Sequence, residues 1–192
     1  MELFSGTHSF GNRVRYCVSV DIGAKFDPTH VSDILTWDYK QYPPGFFDFI
    51  WASPPCTQYS IARRNASTPP DLVGADALVA KTFEIIAYFE PRVWIVENPA
   101  TGLLPKRMSS IRPDVVGYVA NYCAYGFSYP KPTMFWCNLP LYLKRCGGAG
   151  VCPRILDKSH TGGVNEAATW WNRSRIPQTL IDDILRQTRP FK

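Results

Sequence analysis

Short apolar runs bounded by turn residues recur along the chain, at positions 2–4, 16–20, 46–52, 93–96, 120–125 and 134–136. Between several of them lie stretches of helical pattern. The clearest is 72–89, where Leu78, Phe83, Ile86 and Phe89 return at helical spacing. Strands alternating with helices predict an α/β fold, a mostly parallel sheet with helices on both faces. Such sheets bind ligands beyond the carboxyl ends of their strands, so the residues that follow each apolar run carry the functional information.

The first run is followed by Ser5-Gly6-Thr7-His8-Ser9-Phe10-Gly11, a small-residue turn that lets backbone approach a ligand closely. The second leads to Asp21, placed where an acidic side chain can grip ribose hydroxyls. Asp33-Ile34 follows a further short segment and offers an acceptor for an adenine amino group. Each of these also reads as an ordinary turn or cap. In this order they point to a nucleoside-type cofactor site.

Residues 48–60 carry the strongest chemistry. A strand runs straight into Ser53-Pro54-Pro55-Cys56, and tandem prolines stiffen the turn that presents the next side chain. A cysteine held there is a candidate nucleophile if its surroundings stabilise the thiolate, the bland alternative being an inert buried thiol. The next strand ends in Glu97-Asn98-Pro99, which brings a partly desolvated carboxylate beside it. A thiol and a carboxylic acid at neighbouring strand ends suit attack on C6 of a pyrimidine, with the acid engaging N3 and the exocyclic amine. Carbon 5 then becomes nucleophilic enough to accept a methyl group.

With these motifs in place the chain resembles the DNA (cytosine-5) methyltransferase family, especially its small viral and phage-like members. Pro54-Pro55-Cys56 with Ser60 is similar to the family's Pro-Cys motif, and Glu97-Asn98 to its Glu-Asn motif. Tyr125-Gly126, Lys131, Thr133 and Phe135 resemble the segment where Gln-x-Arg-x-Arg is usual, and Ile176-Pro177 with Leu180 the last motif. The resemblance implies a Rossmann-like S-adenosylmethionine-dependent methyltransferase fold. It assigns catalysis to Cys56, Glu97, Asn98 and Lys131, and cofactor binding to Phe4, Ser5, Gly6, Thr7, Asp21, Ile22, Asp33, Ile34 and Pro54. Nucleic-acid contacts fall to Ser60, Arg63 and Arg64, in a loop that in the family closes over an extruded cytosine, and to Thr133 in the Lys131 segment. Departures are visible. His8 and Ser9 stand where glycines are preferred, and Lys131 and Thr133 where arginines are usual. Arg173-Ser174 replaces Gly-Asn, and only 11 residues separate Phe10 from Ile22, so the intervening helix is expected to be short.

Length and charge narrow the picture. The 192 residues fit one methyltransferase domain, with 138–172 as a short insertion in place of a full target-recognition domain. Residues 1–104 carry a net charge of −3 and 105–192 a net of +8, which points the basic half toward a polyanion, here DNA. Cys146, Cys152 and His160, with Cys137 upstream, are candidate ligands of a structural zinc, though their spacing matches no compact finger. Six cysteines are too sparse for a disulfide scaffold, and no apolar run approaches a membrane span. The chain opens on Met1-Glu2-Leu3-Phe4 rather than on a basic-then-apolar leader, so an intracellular protein with no membrane partner is the expectation, a monomer being one open option for its oligomeric state. Two other functions fit part of the pattern. One is methylation of an amino group of cytosine or adenine, since Ser53-Pro54-Pro55 resembles that class too. The other is a catalytically inert DNA- or partner-binding module.

Overall fold

The computed structural model of the chain describes residues 1–61, 63, 66–147 and 174–189. Among these, seven strands form one sheet: β1 (Glu2–Leu3), β2 (Ser19–Asp21), β3 (His30–Val31), β4 (Phe49–Ala52), β5 (Val93–Pro99), β6 (Val116–Asn121) and β7 (Pro132–Cys137). Their spatial order is β3-β2-β1-β4-β5-β7-β6. The pairs from β3 to β5 are all parallel, and β7 alone runs antiparallel, between β5 and β6. The sheet is thus mostly parallel.

The period of two along each strand divides the core cleanly. Ile50, Ala52, Trp94, Val96 and Trp136 face one cluster, while Trp51, Val93, Ile95, Phe135 and Cys137 face the other. Sheets buried on both faces need continuous apolar strands, and β4 and the first half of β5 supply them. Helices α1 (Leu72–Phe89) and α2 (Leu104–Ile111) cover the first face, and α3 (Gln178–Gln187) covers the second. The α1 helix begins where the Asp71 carboxylate accepts the Gly74 N–H at 2.8 Å. It buries Ala75, Val79, Phe83 and Ile86 along one stripe. On the other face, Leu180, Ile181 and Ile184 of α3 have no exposed surface.

The connections between the first strands are reduced to single helical turns, Gly11–Arg13, Ala24–Phe26 and Tyr39–Gln41, in keeping with the short spacing after Phe10. The apolar run 120–125 is not one strand. It leaves β6 at Asn121 and turns through Tyr122–Tyr125, a helical turn closed by Gly126 at φ +103°. Glycine alone adopts that conformation without a Cβ penalty, and hydrophobic content cannot distinguish strand from turn there. Two-residue β3 escaped the hydrophobic pattern, since His30 supplies half of it.

Candidate active site

The carboxyl ends of β1, β2, β4 and β5 open onto one cavity of about 820 Å³. Phe4, Ser5, Gly6 and Thr7 line it from the β1 turn, Asp21 from β2, and Pro54, Cys56 and Ser60 from the β4 turn. Glu97 and Asn98 enter from β5, Lys131 from the approach to β7, and Ser174 and Ile176 from the segment before α3.

The β1 turn is held in an unusual backbone conformation. Phe4 (φ +57°), Gly6 (φ +42°) and His8 (φ +53°) all lie in the left-handed region, a cost that persists only where surrounding structure imposes it. Three anchors do so here. The Gly6 and Gly23 N–H groups donate to the two oxygens of Asp21, at 2.9 and 2.7 Å. The Phe10 and Gly11 N–H groups both donate to buried Glu2, at 3.0 Å each. His8 Nε2 lies 2.6 Å from the Phe26 carbonyl. Ser9 completes the closure: its hydroxyl accepts the Ile176 N–H at 3.2 Å and pairs with Thr7 Oγ1 at 2.9 Å. His8 and Ser9, in place of glycines, therefore tie the turn to two neighbouring segments. Burial pushes the Glu2 carboxyl above its ordinary value, against the two backbone bonds that pull it down.

On the opposite wall, Asn98 is buried and its Nδ2 donates to the Pro54 carbonyl at 2.8 Å, tying the end of β5 to the Pro-Pro-Cys turn. The Cys56 side chain reaches open space. Burial in the cleft still raises its thiol above the ordinary value; the Glu97 charge adds to this and Lys131 opposes it. Glu97 is 7% exposed, and its Oε1 accepts the Tyr122 hydroxyl at 3.1 Å. Behind Cys56, Tyr59 is buried and donates to Asp76 at 2.9 Å, and Arg107 grips the same carboxylate through Nε and Nη2.

Several expected residues lie elsewhere. Ile22 is 72% exposed beside Asp21 and outside the cavity lining. Asp33 caps a turn by accepting the Leu35 N–H at 2.9 Å, and Ile34 is buried in the core. Thr133 was expected to meet nucleic acid, but it is fully buried and donates to the Lys131 carbonyl at 3.1 Å. Its position inside the β5–β7–β6 ladder turns its side chain inward. Arg63 lines the cavity rim but donates to Thr68 and Pro69 of its own loop. Arg64, Cys152 and His160 lie outside the described residues. Among the described residues no three His, Cys, Asp or Glu side chains form a metal-binding group. No helix of the described residues is long and apolar enough to cross a membrane. Tyr122 and Tyr59 were missed by sequence reasoning because their importance comes from contacts with Glu97 and Asp76, distant in the chain.

The residues present fit a nucleoside carrying a charged tail. Phe4, Phe26 and Pro54 give apolar walls, Asp21 an acceptor, and the buried Ser5 hydroxyl has no hydrogen-bond partner while lining the cavity. The sheet order and this cavity define a Rossmann-like methyltransferase. Two solved structures share the fold. One is a DNA modification methyltransferase encoded within an E. coli prophage (TM-score 0.52, 16% identity, 71% of this chain and 44% of that one). The other is the Dnmt2 methyltransferase of S. pombe (TM-score 0.50, 11% identity, 78% and 57%). The chain thus spans about half the length of these two. The family model for C-5 cytosine-specific DNA methylases matches residues 23–121. A frog virus 3 (isolate Goorha) protein named "Probable DNA (cytosine-5)-methyltransferase" is 33% identical over 215 aligned positions, 96% of this chain and 97% of the relative. The chain belongs to the C-5 cytosine-specific DNA methylase family.

Proposed function

We propose that this chain methylates C5 of cytosine in DNA, with Cys56 as the attacking nucleophile and Glu97 as the acid at N3. The observation that carries this reading is the meeting of Cys56, Glu97 and Lys131 in one cavity with the β1 turn and Asp21. In the addition step the Cys56 thiolate forms a bond to C6. The C5–C6 electron pair moves into the ring, and N3 takes a proton from Glu97. Raising electron density at C5 is the purpose of that addition. S-adenosylmethionine, when bound, supplies the electrophilic methyl group. Loss of the C5 hydrogen as a proton to water then lets the Cys56 sulfur leave with its bonding pair, which restores the double bond as N3 returns its proton to Glu97.

The other residues position and exclude. Asn98 fixes the Pro54 turn through its Nδ2, and its buried, unpartnered Oδ1 borders the cavity. Lys131 offsets negative charge on Cys56 and lowers its cost of ionisation. Phe4, Ser5, Gly6, Thr7, Asp21 and Pro54 would hold the cofactor, with exposed Ile22 and Asp33 extending the site toward the adenine end. Ser60 and Arg63, which line the cavity, would contact DNA. The chain would work as one domain, with 138–172 as a short insertion in the sequence in place of a full target-recognition domain. A cysteine at this position supports carbon rather than amino-group methylation, because amino transfer needs no covalent adduct.

The test is transfer of labelled methyl from S-adenosylmethionine to duplex and single-stranded DNA by wild type and Cys56→Ala. Label at C5 of cytosine that vanishes in the variant is expected. Label on an amino group that survives the substitution overturns the mechanism, and wild type that binds no cofactor leaves the inert module as the better reading.

A further inference from the structure

We infer that Tyr122 is a positioning residue for Glu97: its buried hydroxyl donates to Oε1 and so directs Oε2 at the base. This deepens the reading above and rests on it. Tyr122 has no exposed surface, and its hydroxyl lies 3.1 Å from Glu97 Oε1. Its place is fixed independently of that bond. The Tyr122 N–H donates to the Pro130 carbonyl at 2.7 Å, its carbonyl accepts the Phe127 N–H at 3.1 Å, and Phe127 meets the ring edge-on at 5.6 Å. The Lys131 ammonium lies 4.7 Å from the centre of the same ring. One phenol therefore links Glu97 and Lys131, and both line the cavity.

The chemistry explains what such a link does. Burial holds the phenol far above its ordinary range, and negative charge on Glu97 adds to this once that carboxyl ionises, so the phenol remains a proton donor at every working pH. A hydrogen bond to a neutral carboxylic acid is modest, and it strengthens once that group becomes a carboxylate. In the addition step Glu97 gives its proton to N3 and becomes charged, so the Tyr122 bond is strongest in the transition state. A contact of that kind raises kcat and leaves substrate binding nearly unchanged.

Tyr122→Phe removes the hydroxyl and keeps the ring under Lys131 and against Phe127. The expected result is a 10- to 100-fold fall in kcat, with KM for DNA and the cofactor dissociation constant within about twofold of wild type. A second measurement omits the cofactor. Release of tritium from C5-labelled cytosine in DNA reports sulfur addition, solvent exchange at C5 and sulfur loss, and it should fall by a similar factor. A kcat within twofold of wild type overturns the inference, as does a parallel loss of kcat, DNA binding and melting temperature. Wild type that releases no tritium and transfers no methyl to C5 overturns the proposed function and the inference together. Full wild-type activity with an unaffected variant overturns the inference alone.

Discussion

The network behind Cys56 gives the most quantitative prediction. Asp76 on α1 receives the hydroxyl of buried Tyr59 at 2.9 Å and the guanidinium of Arg107 on α2. Tyr59 is also a main-chain hub: its N–H donates to the Cys56 carbonyl at 3.1 Å, and its carbonyl accepts the Leu103 N–H at 2.9 Å. Asp76→Ala strands the Tyr59 hydroxyl in the core, which costs about 1–3 kcal/mol. It also removes the Arg107 pair, discounted to about 1 kcal/mol because the Arg107 side chain is 37% exposed. The expected total is about 2–4 kcal/mol, a drop in Tm of roughly 4–15 °C for a domain of this size. Tyr59→Phe removes one bond and strands no polar group, because Asp76 keeps the Arg107 guanidinium, so it should cost only about 0.5–1.5 kcal/mol. The double variant should be no less stable than Asp76→Ala alone, since the stranded hydroxyl is gone. The assay is urea unfolding followed by tryptophan fluorescence, applied to the three variants as a double-mutant cycle. Additive single costs, or an Asp76→Ala cost below that of Tyr59→Phe, would refute the reasoning. The pH dependence has a definite sign. The Arg107 bond, ahead of the Tyr59 bond, holds Asp76 below its ordinary value of 3.8. Its contribution is therefore complete above the unfolded value and is lost as pH falls through the folded one.

Three further outcomes follow from other contacts. Alkylation of Cys56 by iodoacetamide, followed by mass spectrometry, should be slow at neutral pH and accelerate beyond pH 9, because burial and then Glu97 keep the thiol protonated; rapid, pH-independent alkylation below pH 8 would contradict this. Ser9→Ala deprives the Ile176 N–H of its acceptor, and a loss of about 1 kcal/mol should weaken S-adenosylmethionine binding about fivefold by calorimetry; an unchanged dissociation constant would show that the clasp does not shape the pocket. Gly6→Ala places a Cβ at φ +42° with only the Phe4 carbonyl nearby at 3.9 Å. Its cost is therefore backbone strain of about 1–2 kcal/mol, read as a lower Tm, and a rise in Tm would exclude that strain.

Much of the fold was legible because its causes are local. The 72–89 helix has a 3.6-residue stripe and an Asp cap, and both act within a few residues. The strands β4 and β5 are long apolar runs that only a doubly covered sheet can bury. The candidate site was legible for a related reason. Strand ends in a parallel sheet converge on one edge, so Asp21, Cys56 and Glu97 meet once the order of strands is correct. The break between β6 and the turn Tyr122–Tyr125 was not legible, because an apolar run looks alike in both states until the chain must reverse at Gly126.

The sequence by itself determined the class of fold, the family motifs and the candidate nucleophile, because each is written in contiguous residues or in their order. Tertiary structure decided how those residues are held. Thr133 turns inward because the ladder with β5 and β6 sets its face, and a single-residue shift would have turned it outward. Ser9 clasps Ile176, 167 positions away, and Tyr122 reaches Glu97 across 25. Such bonds depend on distances between side chains that no local pattern encodes. They arise only when the sheet brings distant segments within hydrogen-bonding range.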